Sequence, residues 1–267
     1  MRLRSAAALL LILLLIMAVG ADWIAPHPYQ QQNRDEARQS PGASHWLGSD
    51  DLGRDLWSRL LYGTRVSLLL AAAAALLATL IAAAAGVTAA YCGGCTDRLL
   101  MSVTDLFLSV PWLFLLLTAR ALLPLNTPPW ESVAITFLLL GLFGWAGAAR
   151  LVRAAARARL ASPFALQAHA AGVSPARLLA FHLLPNLAPV LEAQFLLALP
   201  AFLLGEANLG MLGLGVSEPL PSWGNLLVGL TTPGAVAESP WLIAPSVVVL
   251  VSLLAMHELC GRSRKSI

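Results

Sequence analysis

Runs of about 20 predominantly apolar residues recur along this chain, and a run of that length matches the hydrocarbon thickness of a bilayer when wound as a helix. They fall at about residues 5–24, 66–91, 103–125, 132–151, 187–204 and 241–260. In lipid every backbone N–H and C=O must be paired within the protein, so each run reads as a membrane-spanning helix. The rest of the composition agrees: 58% of residues are apolar and 12% charged, with a mean hydropathy of +0.74. Soluble domains are roughly half apolar and a quarter charged. The sequence predicts an all-α, polytopic membrane protein of six transmembrane helices.

The distribution of Lys and Arg near the span ends predicts orientation. The segment between the fourth and fifth spans carries Arg150, Arg153, Arg157, Arg159 and Arg177 without an acidic residue, and the C-terminal tail carries Arg262, Arg264 and Lys265. The segment after the fifth span has Glu206, Glu218 and Glu238 and no base. Both termini and the long basic loop are therefore expected in the cytoplasm. The pI near 9.1 comes from bases placed by this rule, with a net charge of only +3, so nucleic acid is not an expected partner and membrane lipid is. The first span has a rival reading as a cleaved signal peptide, from Arg2, Arg4 and Val19-Gly20-Ala21. Its long apolar run and the interfacial Trp23 favour an uncleaved span.

Three segments outside the spans have predicted structure of their own. Ser49-Asp50-Asp51 is placed to cap a short amphipathic helix carrying Leu52, Leu56, Trp57, Leu60 and Leu61. In the basic loop, Ser162-Pro163 and Ser174-Pro175 are two helix starts of one kind, since Ser favours the N-cap and Pro the first turn. Gly172 suits a left-handed residue closing the first of these helices, which would be roughly 13 Å long at 1.5 Å per residue. The second is expected to stop or kink at Pro185. A short helix held across the end of a bundle is a docking feature for a cytoplasmic partner. The third segment, Leu209 to Trp223, is rich in Gly and Pro and reads as an extracytoplasmic turn. Its glycines follow a membrane helix and lack a following Lys-Ser or Lys-Thr, so they do not form a phosphate loop.

Chemistry-bearing motifs are sparse. Cys92-Gly93-Gly94-Cys95 has C-x-x-C spacing but no second ligand pair, and reads as a Gly-Gly turn. His257-Glu258 is followed by Gly261 where a zinc protease needs His, and no nucleophile-elbow motif lies in a span. No metal site and no catalytic residue is expected. Within the spans, Glu192 either faces a pathway and meets a cationic substrate group, snorkels to the interface, or pairs with an Arg of a partner. Arg120 reads as a snorkelling end residue. Asp97 and Asp105 are either helix-start residues or gating groups.

Taken in order, several stretches resemble the inner-membrane permease subunits of binding-protein-dependent ABC importers, in the dipeptide, oligopeptide and nickel group. They are His45 through Asp55, Ser58 through Leu68, Gly93-Gly94 with Asp97, Leu100-Met101, Asp105 and Pro111, then Leu183 through Asn186, Gly205 through Leu209, Leu212 through Gly215 and Pro221 through Gly224. The likeness runs in register from about residue 45 to 230. It implies a type I ABC importer permease fold in a bacterial inner membrane. It further implies a transport subunit without its own ATPase site, the ATP being used by partner subunits and no cofactor bound here. The family's coupling motif maps onto Ser162, Pro163, Leu166-Gln167-Ala168, Gly172, Ser174, Pro175 and Leu184-Pro185, with Leu166 standing where the motif has Glu. Ser102 stands where many relatives have a base. The implied partners are a second, different but homologous permease chain, two cytoplasmic ATP-binding subunits and an extracytoplasmic solute-binding protein.

The expected organisation is an anchor and loop over 1–44, a lead-in over 45–65, a permease domain over 66–260 with its coupling loop at 152–186, and a tail over 261–267. The expected function is to form half of a pathway for di- or oligopeptides or a related solute such as a nickel chelate. Glu192, Gln194 and Asp105 are the candidate pathway residues. The competing reading is a membrane scaffold or a stand-alone secondary transporter. The latter would show internal repeats, which the two halves lack.

Overall fold

A computed structural model describes residues 2–124, 127–163, 167 and 171–260. Among the described residues every regular element is helical. The organising element is the helix at Leu56–Cys92. Counting from the N-terminus, α1 is Arg2–Val19, α2 the short Ala21–Ile24 and α3 this 37-residue helix, about 55 Å long at 1.5 Å per residue. No separate lead-in helix precedes it, contrary to the sequence expectation. Asp55, not Ser49, is the N-cap, its carboxylate accepting the Ser58 N–H at 2.7 Å. Asp50 is instead used in a turn, its Oδ1 accepting the N–H groups of Leu52 and Arg54 at 2.9 and 3.0 Å. Ser49 bridges back to Asp55.

One face of α3 is a seam of small buried residues: Ala71, Ala74, Ala75, Ala78, Ala82, Gly86 and Ala89. Against it lie α6 (Pro129–Phe143) and α7 (Ala146–Leu160). Water cannot drive helices together inside lipid, so close backbone approach and dispersion contacts must do so, and small residues permit that approach. A Cβ on Gly86 would sit 2.7 Å from the Ala149 carbonyl oxygen and 2.9 Å from the Arg153 nitrogen. One on Gly141 would lie 3.1 Å from the Ala74 carbonyl oxygen. Val133, Phe137 and Leu140 of α6, with Leu203 and Trp223, close the core around the seam.

Two expected spans are broken rather than straight. Residues 103–125 divide between α4 (Gly94–Ser109) and α5 (Trp112–Ala121), which meet at 82°. Val110 is extended there because the ring of Pro111 excludes it from the helical region. The fourth span divides into α6 and α7, bent by 41° at Gly144 and Trp145.

The fifth span errs the other way, by continuity. Pro175–Arg177 begins it, Leu178–Leu183 is π-helical, and α8 (Leu184–Met211) carries it on with Pro185, Pro189 and Pro200 inside. Pro185 does not stop the chain. The wider π turn precedes it, and the Asn186 side chain donates to the His182 carbonyl at 2.7 Å, satisfying a backbone acceptor in the disturbed turn. Because α8 reaches Met211, Glu206 lies inside a helix and is fully buried, not in a solvated loop. Short α9 (Trp223–Val228) and α10 (Ala235–Glu238) precede α11 (Ala244–Cys260). Helix α1 packs on α11 and α3.

Among the described residues three helices are long and apolar enough to cross a membrane, or up to five if each bent pair counts as one span. Replacing Gly86 with Leu is expected to cost about 3 kcal/mol, the upper range for overpacking a tight contact, and to lower the thermal unfolding midpoint in detergent. Gly147→Ala, with open space around its Cβ position, is expected to leave that midpoint within a degree or two of the parent (~0.5 kcal/mol).

Candidate functional site

The two helix breaks converge. A cavity of about 440 Å³ is lined by Phe107, Pro111 and Trp112 at the first break, Phe143 and Gly144 at the second, and Gln194 and Phe202 of α8. Breaking a helix frees backbone polar groups from their usual partners. In membrane proteins such irregular backbone persists only where it is buried in protein or borders a cavity. The packing is close: a Cβ on Gly144 would lie 2.3 Å from the Phe202 ring, and one on Gly205 2.6 Å from Trp112. Trp112 and Phe202 are tilted with centroids 6.2 Å apart, Phe107 and Trp145 with centroids 5.5 Å apart. The surface is thus apolar, with the rings of Phe107, Trp112, Phe143 and Phe202 set among aliphatic and small residues, and carries one amide, Gln194.

The other candidate pathway residues are placed elsewhere. Asp105 is exposed on α4 and ion-paired with Arg150 of α7. Glu192 is exposed on α8, outside the cavity lining. Arg120 is buried, 1% exposed, and donates to the Pro124 carbonyl at 3.1 Å and the Ser132 hydroxyl at 3.3 Å. It therefore joins α5 to α6 instead of snorkelling to an interface.

At the Cys92 end, Gly93 and Gly94 both take positive φ and turn α3 into α4, with Cys92 and Cys95 exposed on either side. Asp97 follows in the first turn of α4, only 7% exposed. Both its oxygens accept from Arg153, and Oδ2 also accepts from Arg157 at 2.7 Å. Arg153 and Arg157, read from sequence as topology signals, thus clamp α4 to α7. Helix α7 leads directly into the basic loop. There the Ser162 hydroxyl bonds back to the Arg159 carbonyl, closing α7. Pro163 and Gln167 are helical and the Ala171 N–H donates to the Gln167 carbonyl at 2.9 Å. Gly172 has φ +72°. Ser174 is the extended N-cap before Pro175, but its hydroxyl makes no capping bond. Leu184 and Pro185 are exposed. Leu166 and Ala168 lie outside the described residues.

Two polar clusters mark the opposite half of the molecule. The buried Glu206 carboxylate accepts from the Ser67 hydroxyl at 3.1 Å and the Gly224 N–H at 3.1 Å. Ser67 Oγ in turn accepts the Trp223 N–H at 2.9 Å, and Trp223 Nε1 donates to Thr64 Oγ1 at 3.0 Å. These bonds tie α3, α8 and α9 together. Nearer the head of α3, buried Arg59 pairs with Glu218 at 2.9 Å, and Arg54 pairs with Glu218 at 2.8 Å and Asp50 at 2.7 Å. His45 donates to or accepts from Asp55 at 2.9 Å and Glu36 at 3.3 Å. Burial opposes charging His45, but these two carboxylates outweigh it and hold its pKa above the ordinary imidazole value. In the sequence Glu206 signalled only the side of the membrane and Asp97 only a helix start or a gate, while the stretches His45 through Asp55, Ser58 through Leu68 and Pro221 through Gly224 were marked by the family likeness.

A bundle of broken apolar helices around an apolar cavity is the architecture of a membrane transport subunit. The family profile for binding-protein-dependent transport system inner membrane components matches residues 82–257, and a profile for the N-terminal TM domain of oligopeptide transport permease C matches residues 2–41. The oligopeptide transport system permease protein OppC of Mycobacterium tuberculosis (strain ATCC 25618 / H37Rv) is 34% identical over 98% of this chain and 88% of its own length. The dipeptide permease DppC of Bacillus subtilis (strain 168) is 30% identical over 84% of this chain and 68% of its own length. The glutathione permease GsiD of Escherichia coli O6:K15:H31 is 31% identical over 92% and 78% respectively. A chain of the MetNI methionine ABC transporter, in an inward-facing conformation, has the same fold with a TM-score of 0.57 and 18% identity, over 78% of this chain and 97% of that one. The chain belongs to the binding-protein-dependent transport system inner membrane component family. It is an inner-membrane permease subunit of an ABC importer.

The Asp97–Arg153 pair is the testable link between α4 and α7. In a double-mutant cycle of Asp97→Asn and Arg153→Gln, read by thermal unfolding in detergent, the double variant is expected to lose less stability than the two single variants summed.

Proposed function

We propose that this chain lines half of the translocation pathway for peptides. It would do so in six spans with both termini cytoplasmic and with a second, similar permease supplying the other half. The observation that carries the reading is the cavity at the two helix breaks, whose apolar wall and single amide suit a substrate with apolar side chains and peptide groups. The names of the relatives, which include oligopeptide and dipeptide permeases, support the same substrate class. Helix α1, continued by α2, supplies the sixth crossing, and the positive-inside rule supports the orientation.

Energy comes from a pair of ATP-binding subunits, one of which docks on the segment from Ser162 to Pro185. Closure of those subunits on ATP moves this segment, and α7 carries the movement to the Asp97 clamp and to the break at Gly144. The pathway then opens outward to take substrate from a solute-binding protein. Glu192, exposed on α8, either meets cationic substrate groups or pairs with an Arg of the second permease. Asp105 is held by Arg150 on the pathway side of the clamp and is a gating group.

Reconstituted with its partner subunits, the complex is expected to hydrolyse ATP faster when loaded binding protein is added, by about an order of magnitude. ATP hydrolysis indifferent to binding protein and substrate contradicts the importer reading. Gly172→Val forces a β-branched residue into positive φ. It is expected to abolish uptake while leaving membrane insertion and basal hydrolysis intact, and normal uptake by that variant counts against the docking assignment.

A further inference from the structure

We propose that His27, His45 and Asp55, at the head of α3, form a binding site for a divalent cation of the zinc type. Three well-separated points in the chain each bring one donor atom to within 4.8 Å of the others. His45 and Asp55 are buried and His27 is half-buried. All three border a cavity of about 40 Å³, shared with Glu36 and Asn33. A single water-sized occupant needs roughly 10–15 Å³. Two imidazoles and a carboxylate are the donors that zinc accepts, whereas calcium and magnesium favour all-oxygen sets.

The support around these donors is what separates the cluster from a chance meeting of polar groups. The atom of each side chain that would not touch the ion is already held. His27 Nε2 bonds to the Ser44 carbonyl at 2.9 Å, and His45 Nε2 to Glu36 at 3.3 Å. Asp55 Oδ2 accepts the Ser58 N–H at 2.7 Å and the Ser58 hydroxyl at 2.6 Å. Metal-ligating histidines characteristically donate their other N–H to a carbonyl or carboxylate, which fixes the tautomer and the ring. Held this way, His45 offers Nδ1 and Asp55 offers Oδ1, and a ring nitrogen of His27 completes the set of three donors. His45 Nδ1 and Asp55 Oδ1 are 2.9 Å apart. With each at about 2.0–2.2 Å from an ion, they subtend close to a right angle. The cation thus takes the place of the proton the pair shares, and at least one position remains for water. Because Asp55 also caps α3, the ion would pin the segment before it onto the helix that carries the core seam.

The full chain, purified in detergent through a tag without histidine and stripped with EDTA, is titrated with Co²⁺. Saturation at one ion per chain, with visible d–d absorption that Zn²⁺ abolishes, is the expected result. His27→Gln, chosen because His27 is not part of the α3 cap, is expected to weaken Co²⁺ binding by about tenfold or more. Its elution from size exclusion should match the parent, and the His182→Gln/His257→Gln pair should bind as the parent does. No cobalt spectrum, or one indifferent to His27→Gln, overturns the site and leaves His45 and Asp55 as a proton-bridged pair.

Discussion

Close backbone approach along α3 is the constraint on which the other features depend. Lipid removes the hydrophobic drive between helices, so α3 holds α6 and α7 by fit through alanine and glycine, and a Cβ added at Gly86 would meet the Ala149 carbonyl oxygen at 2.7 Å. This fit fixes where α6 ends and α7 begins. Gly144 can then admit the Phe202 ring and Gly205 the Trp112 ring, which sets the wall of the cavity. The seam thereby bears on the shape of the pathway face, and its Gly86 end packs against the backbone of Arg153.

A second constraint is polar satisfaction. Several buried hydrophilic groups are matched by a partner from another element. Glu206 receives the Gly224 N–H and the Ser67 hydroxyl. Arg120 reaches Ser132, whose hydroxyl also donates to the Gly215 carbonyl at 3.0 Å. A polar group with no partner in an apolar interior costs several times what one such bond contributes, so these bonds select one arrangement of the bundle. They do so in the half of the molecule that holds Arg59 and Glu218. The Cys92 half is held by the Asp97 clamp, the Asp105–Arg150 pair and the apolar cluster of Val87, Val152 and Leu187, with the exposed loop beyond.

The apolar runs made the helical class legible in the sequence, and the ordered motifs made the family legible. The extent of each helix was harder to read. Pro111 broke a span and Pro185 did not, though both are prolines in apolar helical sequence. At Pro185 a π turn precedes the ring and Asn186 reaches back to the His182 carbonyl, whereas Val110 before Pro111 is extended. Similarly Ser49 and Asp55 are both favoured N-caps, and the choice between them rests on Asp50 being spent in a turn. Gln194 was read as a polar pathway position and borders the cavity. Arg153 and Arg157 were read only as side-of-membrane signals, because no local pattern shows that Asp97, more than fifty residues earlier, will lie between them.

Helix α7 gives the proposed mechanism its physical route. Its first residue follows the break at Gly144, its middle turns carry Arg150, Arg153 and Arg157, and its last carbonyls accept the Ser162 hydroxyl where the docking segment begins. A helix is stiff along its axis, so displacement of its C-terminal end cannot be absorbed within it. It must appear either at the salt bridges to α4 or at the hinge with α6. The salt bridges hold α4 to α7, and α4 ends at the other break, beside Pro111. Movement at the docking segment would therefore reach both breaks that line the cavity, and reach them together.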